Sequence, residues 1–77
     1  MENNNEQATM PTKAPETFKD RLLREKEQLD ERWGKLNEFL DSEKANDIDP
    51  VQLSLLKIQR GAMQTYSQCL WERLSRL

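Results

Sequence analysis

The chain has 77 residues, of which 34% are charged and 35% are hydrophobic, so it can form one small domain at most. It contains no histidine and one cysteine, which excludes an internal disulfide, a thiolate–imidazole zinc site and a Ser-His-Asp or Cys-His catalytic pair within one chain. Twelve basic residues against fourteen acidic residues give a net charge of −2, which argues against binding to nucleic acid or anionic lipid. We therefore expect a binding or assembly protein, not an enzyme, with no cofactor and no metal.

The sequence contains no apolar run near the roughly 20 residues of a membrane span and no apolar segment typical of a signal peptide. A single cysteine is typical of a reducing compartment. We therefore expect a cytoplasmic protein that has no membrane partner.

Residues 1–15 have little apolar content and no periodicity, which predicts a disordered N-terminal tail. The alternative is that this tail becomes ordered on a partner. Residues 16–77 form the second predicted unit, a helical hairpin.

The first predicted helix covers residues 16–43. Thr17 is a candidate N-cap, and Asp20 follows three residues later, as in a capping box. No proline interrupts the segment, and its apolar residues recur at spacings of three, four and seven, which indicates a helix and not a strand. These residues are Phe18, Leu22, Leu29, Trp33, Leu36 and Leu40.

The pattern breaks over residues 44–49, which we predict to be a loop, and the second helix covers residues 50–76. Asp49 followed by Pro50 is typical of an N-cap and a first helical residue. The second helix repeats the apolar spacing with Leu56, Met63, Tyr66, Leu70 and Leu77.

The short connection predicts an all-α fold in which the two helices lie antiparallel as a hairpin. If the chain folds back at the loop, the numbers of two facing residues add up to roughly 92. Leu22 then lies opposite Leu70, and Leu29 lies opposite Met63. The apolar stripes of the two helices then coincide along the hairpin.

The second helix carries another apolar line that one neighbouring helix cannot cover. This line comprises Val51, Leu55, Ile58, Ala62 and Cys69, with Thr65 in the gap. We therefore expect a homo-oligomeric helical bundle, a homodimer or homotetramer, with the second helix central. The alternative is a monomer with Trp71 and Leu55 exposed.

Gly34 and Gly61 interrupt the two helices, where glycine is unfavourable by about 1 kcal/mol relative to alanine. Either a helix-on-helix contact or a ligand contact would explain them.

The predicted contact line between the two helices, here called the seam, is apolar except at four polar residues. These are Lys26 on the first helix and Gln59, Tyr66 and Arg73 on the second. Each can be structural, either as a buried polar residue that sets the register or as a long side chain that reaches the rim. Taken together, they suit an anionic planar ligand such as a nucleotide. In that reading the cations Lys26 and Arg73 hold phosphate, aromatic rings stack on a base and amides make polar contacts. The candidate ligand-binding residues are Lys26, Trp33, Lys35, Gln59, Tyr66 and Arg73.

Two spaced patterns carry a resemblance to a widespread family of small helical-hairpin phage proteins, relatives of an uncharacterised crAss-like phage protein. The first helix supplies Arg21, Leu22, Glu25, Leu29, Glu31, Arg32, Lys35, Leu36, Phe39 and Leu40. The second helix supplies Leu55, Leu56, Gln59, Met63, Tyr66, Leu70, Arg73 and Leu74. The sequence departs from the family pattern at Trp33–Gly34 and lacks an aromatic residue in the loop.

The resemblance implies a phage accessory protein that acts in the host cytoplasm. Compact helical phage proteins include anti-CBASS sponges, which bind cyclic oligonucleotide second messengers. Our first hypothesis is such a sponge, which holds a cyclic dinucleotide at a subunit interface without cleaving it. The second hypothesis is a protein-interaction module that inhibits a host defence enzyme, such as a CRISPR nuclease, by direct binding.

Overall fold

The computed structural model describes residues 16–77, which form two helices packed against each other as a hairpin. Helix α1 is Phe18–Leu40, a 3-10 helix covers Glu43–Asp47, and helix α2 is Pro50–Ser75. The predicted tail at 1–15 lies outside the described residues. Neither helix of this part of the chain is both long and apolar enough to span a bilayer.

Helix α1 begins at a capping box. The Thr17 hydroxyl oxygen accepts a hydrogen bond from the Asp20 N–H, and the Asp20 carboxylate accepts one from the Thr17 N–H, both at 3.1 Å. The helix ends at Leu40, before residue 43 of the predicted range. Ser42 donates its hydroxyl to the Phe39 carbonyl at 2.7 Å, which satisfies one of the last carbonyls of the helix and ends it earlier.

The connection between the helices contains a 3-10 helix where the sequence predicts an irregular loop. Its Ala45 is buried, so the connection packs onto the end of the hairpin. The Asp49 carboxylate then accepts hydrogen bonds from the N–H groups of Val51 and Gln52 at 3.1 Å each. With Pro50 as the first helical residue, these bonds fix the start of α2.

A small apolar core holds the two helices together. Leu22 and Leu29 of α1 and Leu70 of α2 are buried, and Met63 and Leu74 pack against them. These residues include the pairs that the folded-back sequence predicts. A core of this size gives little stability to a single hairpin. Burial of further apolar surface against another molecule would therefore add stability that the hairpin lacks.

The second apolar line of α2 faces away from α1. Val51, Leu55 and Ile58 are 65%, 52% and 68% exposed, and Ala62 and Cys69 are exposed as well. Within residues 16–77, therefore, nothing covers the line for which the sequence predicts a partner.

The two helical glycines have open space around them. A Cβ built on Gly34 or on Gly61 meets no heavy atom of the described chain within 4 Å, other than those of the local helix. A helix-on-helix contact inside the hairpin therefore explains neither glycine.

Candidate functional site

A groove of about 460 Å³ runs along one side of the hairpin, between α1 and α2. Helix α1 contributes residues at helical spacing from Lys26 to Gly34, and α2 contributes residues from Gln64 to Trp71. The lining consists of Lys26, Asp30, Trp33, Gly34, Gln64, Ser67, Gln68 and Trp71.

A polar network joins the two helices at this groove. The Lys26 ammonium donates to Asp30 Oδ2 at 2.6 Å and to Ser67 Oγ at 3.2 Å. Ser67 in turn donates its hydroxyl to Asp30 Oδ1 at 2.5 Å. The hydrogen bond from Lys26 and then that from Ser67 lower the pKa of Asp30, because both stabilise the ionised carboxylate. The charges of Lys26 and Asp30 cancel, so the network leaves this part of the groove close to neutral.

Two indole rings line the groove, one from each helix. Trp71 is 55% exposed, so a large part of its ring is free to contact another molecule. Trp33 is half-buried, and its Nε1 donor is buried with no hydrogen-bond acceptor anywhere in residues 16–77. Both residues offer indole ring surface, which suits stacking against a planar group.

The remaining lining residues include a glycine, which leaves open space, and two glutamines, which carry amide groups. Gly34 has no side chain, and the space beside it is open. Gln64 and Gln68 offer carboxamides that can both donate and accept hydrogen bonds, and Gln68 donates to Glu72 at 3.2 Å. This set of groups can hold a planar polar molecule by stacking and hydrogen bonding.

A cation lies beyond the end of the groove that is nearer the connection. The Arg60 guanidinium donates to the side-chain carbonyl of Asn37 at 3.1 Å. Arg60 precedes Gln64 by about one helical turn, and Asn37 follows Gly34 by about one turn, so both continue the same side of the hairpin. Because its amide partner is neutral, Arg60 keeps its full positive charge available for an anion.

No three His, Cys, Asp or Glu side chains in the stretch from residue 16 to residue 77 are arranged to hold a metal ion.

The structure brings together two of the six candidate ligand-binding residues, Lys26 and Trp33, in the groove. The other four lie elsewhere. The Tyr66 hydroxyl donates to Glu25 on the opposite side of the seam between the helices. The Arg73 guanidinium lies 5.7 Å from the centroid of the Phe18 ring, in a cation–π contact.

The two remaining candidates are solvent-exposed. Gln59 is exposed on α2. The side chain of Lys35 is three-quarters exposed, and its ammonium lies 3.7 Å from Glu31 of the same helix. Neither lines the groove.

The separation of these residues follows from the register of the hairpin. The sequence places Lys26 beside Tyr66, whereas Lys26 bonds to Ser67, the next residue. Successive residues of a helix are rotated by about 100°, so this shift of one position carries the contact to the other side of the seam.

Gly34 lines the groove, as the ligand-contact alternative for this glycine allowed. Sequence reasoning did not select the other five lining residues as ligand contacts: Asp30, Gln64, Ser67, Gln68 and Trp71. The spacing of these residues could have indicated a shared face on each helix. The lining residues of α1 recur at four-residue spacing, and those of α2 recur at spacings of three and four. Each set marks one side of its helix, but only the register between the helices pairs the two sides.

A protein-family model described as Sequestin matches residues 16–76. The comparisons found no match among curated proteins and none among solved structures.

Proposed function

This chain belongs to the Sequestin family, and on that premise we propose that it sequesters a cyclic oligonucleotide immune second messenger without cleaving it. The family name suggests a sequestering function, which implies a binding protein rather than an enzyme. We further propose that it is a phage accessory protein, related to the crAss-like phage protein, and that it acts against CBASS-type signalling in the host cytoplasm.

The observation that carries this proposal is the groove between α1 and α2. Its volume of about 460 Å³ is within the usual range for small-molecule sites. A purine or pyrimidine ring can stack on Trp71 or Trp33, and such stacking contributes about 1–3 kcal/mol per base. Gln64 and Gln68 provide donors and acceptors for the edge of a base.

The charge distribution suggests how a nucleotide would be oriented. The groove is close to neutral because Asp30 is bonded to Lys26, so a base and its ribose are favoured there over a phosphate. Arg60, which lies beyond the end of the groove, carries an available guanidinium, and guanidinium groups bind phosphate oxygens with two parallel hydrogen bonds. We therefore propose that the phosphate groups reach Arg60, with Lys26 as a second contact.

Sequestration requires no bond to be broken in the ligand. The sequence has no histidine and a single cysteine, which is exposed on α2 away from the groove lining. The groove lining supplies stacking surfaces, amides and one ion pair, and these groups support binding and release of an unchanged ligand.

The other predicted contacts remain part of the proposal. Gln59, Tyr66 and Arg73 lie on the side of α2 away from the groove, and Lys35 lies on the exposed part of α1. They would contact a ligand only where a second chain brings them near its groove. We propose a homodimer or a homotetramer as the functional assembly.

The direct test is calorimetric titration of the protein with a panel of cyclic dinucleotides and trinucleotides. We expect submicromolar affinity for at least one member, and mass spectrometry should recover that nucleotide intact after heating. No binding stronger than micromolar by folded protein would refute the proposal, and recovery of a linear product would show cleavage instead.

A matched pair of variants locates the site. Trp71→Leu removes an exposed ring from the groove, and affinity should fall by about tenfold or more if a base stacks there. Leu77→Ala truncates an exposed apolar side chain that does not line the groove, and affinity should not change. An unchanged affinity of Trp71→Leu would show that no base stacks on this ring.

The second candidate function is direct inhibition of a host defence enzyme. It is favoured by two large apolar side chains, Trp71 and Leu23, which are 55% and 41% exposed. A pull-down from host lysate that recovers one protein stoichiometrically, together with no nucleotide binding in the titration, would support this function over sequestration.

A further inference from the structure

The exposed apolar line of α2, here called the outer stripe, is the largest feature that the groove leaves unexplained. Its members recur at alternating spacings of four and three residues, as in the seam of a coiled coil. The outer stripe consists of Val51, Leu55, Ile58, Ala62, Thr65 and Cys69, all of them exposed in the hairpin.

No member of the outer stripe is charged, and its one hydroxyl is already satisfied. Thr65 Oγ1 donates to the Gly61 carbonyl of its own helix at 3.2 Å. The side chain of Thr65 can therefore present its methyl group to a neighbour. The stripe is about 27 Å long, from the 18 residues between Val51 and Cys69 at about 1.5 Å each.

The sizes of the side chains are ordered along the stripe. The three large members, Val51, Leu55 and Ile58, come first, and the three small members, Ala62, Thr65 and Cys69, follow. The positions are symmetric about residue 60, so reversing the stripe superimposes it on itself.

We propose that the outer stripe binds the outer stripe of a second copy of this chain, with the two α2 helices antiparallel about a two-fold axis near residue 60. Each large side chain then faces a small one. Val51 faces Cys69 of the second copy, Leu55 faces Thr65, and Ile58 faces Ala62. A parallel pair would instead place large against large at one end and small against small at the other, which leaves gaps.

The charges at the two ends of α2 favour the same orientation. Asp49 caps the start of the helix, and Arg73 and Arg76 lie at its end. An antiparallel pair brings Arg73 and Arg76 near Asp49 at the start of the second copy's α2, whereas a parallel pair places like charges together. The helix dipoles also favour the antiparallel arrangement.

This interface lies away from the groove. Lys26, Ser67 and Trp71 face the other side of the seam, so two hairpins joined through their outer stripes keep two open grooves. The inference is therefore independent of the proposed ligand, and a failure of nucleotide binding leaves it standing.

The test is disulfide formation at chosen positions. In the antiparallel pair, the two copies of Cys69 are about 27 Å apart, far beyond the reach of a disulfide, so the wild-type chain should not crosslink. Val51→Cys places a thiol opposite Cys69 of the second copy, and mild oxidation should give a covalent dimer. Lys57→Cys adds an exposed thiol off the stripe and should give none.

Sedimentation of the reduced proteins completes the test. Wild type should sediment at the mass of two chains, or of four if two such pairs associate, and Ile58→Gln should lower that mass, while Lys57→Gln should not. Circular dichroism checks that each variant keeps its helices. Crosslinking of the wild type through Cys69 would show a parallel pair, and a folded wild-type monomer at working concentration would show that no second copy binds. Either result overturns the inference.

Discussion

Ser67 of α2 donates a 2.5 Å hydrogen bond to Asp30 of α1, across the seam of the hairpin. The two residues are far apart in sequence, so this bond reports the register of the helices directly. Lys26 bonds to both, which makes the carboxylate of Asp30 the centre of the network. The network connects the stability of the hairpin to the charge of the groove.

Replacing Asp30 should have opposite effects on stability and on anion binding. Asp30→Asn removes the charge that neutralises Lys26, so affinity for an anionic ligand should rise. Stability should fall by about 0.2–1 kcal/mol, the range for partly exposed ion pairs, because the Asp30 side chain is 45% exposed. Urea unfolding and calorimetric titration measure the two effects. The control is Glu31→Gln, which removes an exposed acid at the next position and should change neither quantity appreciably.

Gly34 provides a way to close the groove without removing any contact. Gly34→Leu adds a side chain into the open space beside the lining, so ligand affinity should fall. Gly34→Ala should stabilise the protein by about 1 kcal/mol through helix propensity, since nothing lies within contact distance of the added methyl. Glu38→Leu places the same large side chain on an exposed part of α1 and should leave affinity unchanged. If Gly34→Leu and wild type bind the ligand with equal affinity, the ligand does not bind in the groove.

The capping box makes the stability of α1 dependent on pH. Hydrogen bonds from the backbone N–H and then the side chain of Thr17 lower the pKa of Asp20, so the ionised form stabilises the folded state. This contribution is present above the ordinary Asp pKa of about 3.9 and is lost as the pH falls through the lower folded-state pKa. Asp20→Asn should therefore be less stable than wild type at pH 7, and the difference should shrink on acidification. A difference that stays constant from neutral to acid pH would show that the carboxylate charge plays no part.

Leu70 is the most deeply buried side chain of the described core. It is 0% exposed, and Leu70→Ala should lower the free energy of unfolding by about 2–5 kcal/mol through lost burial and the cavity that remains. Leu77→Ala makes the same change seven residues later on a side chain that is 62% exposed, and its effect should stay within about 0.5 kcal/mol. Urea unfolding followed by circular dichroism compares them, and similar losses for both variants would contradict the core assignment.

The two helices and their order can be predicted from the sequence alone, because the signals that set them are local. Thr17 with Asp20 and Asp49 with Pro50 are short motifs whose hydrogen bonds form within one helical turn. The outer stripe could also be predicted, because six positions on one helix define a face without reference to any other element. The order of its members, three large and then three small, is readable in the same way.

Which side chains meet across the seam depends on the register of the packed helices, and the sequence does not give that register. The folded-back sequence pairs Lys26 with Tyr66, whereas Lys26 bonds to Ser67 and Tyr66 bonds to Glu25. Apolar side chains tolerate such an error, because dispersion contacts are non-directional and Leu22 packs on Leu70 in either case. Hydrogen-bonding side chains do not tolerate it, since one residue rotates the contact by about 100° and moves it to the other side of the hairpin.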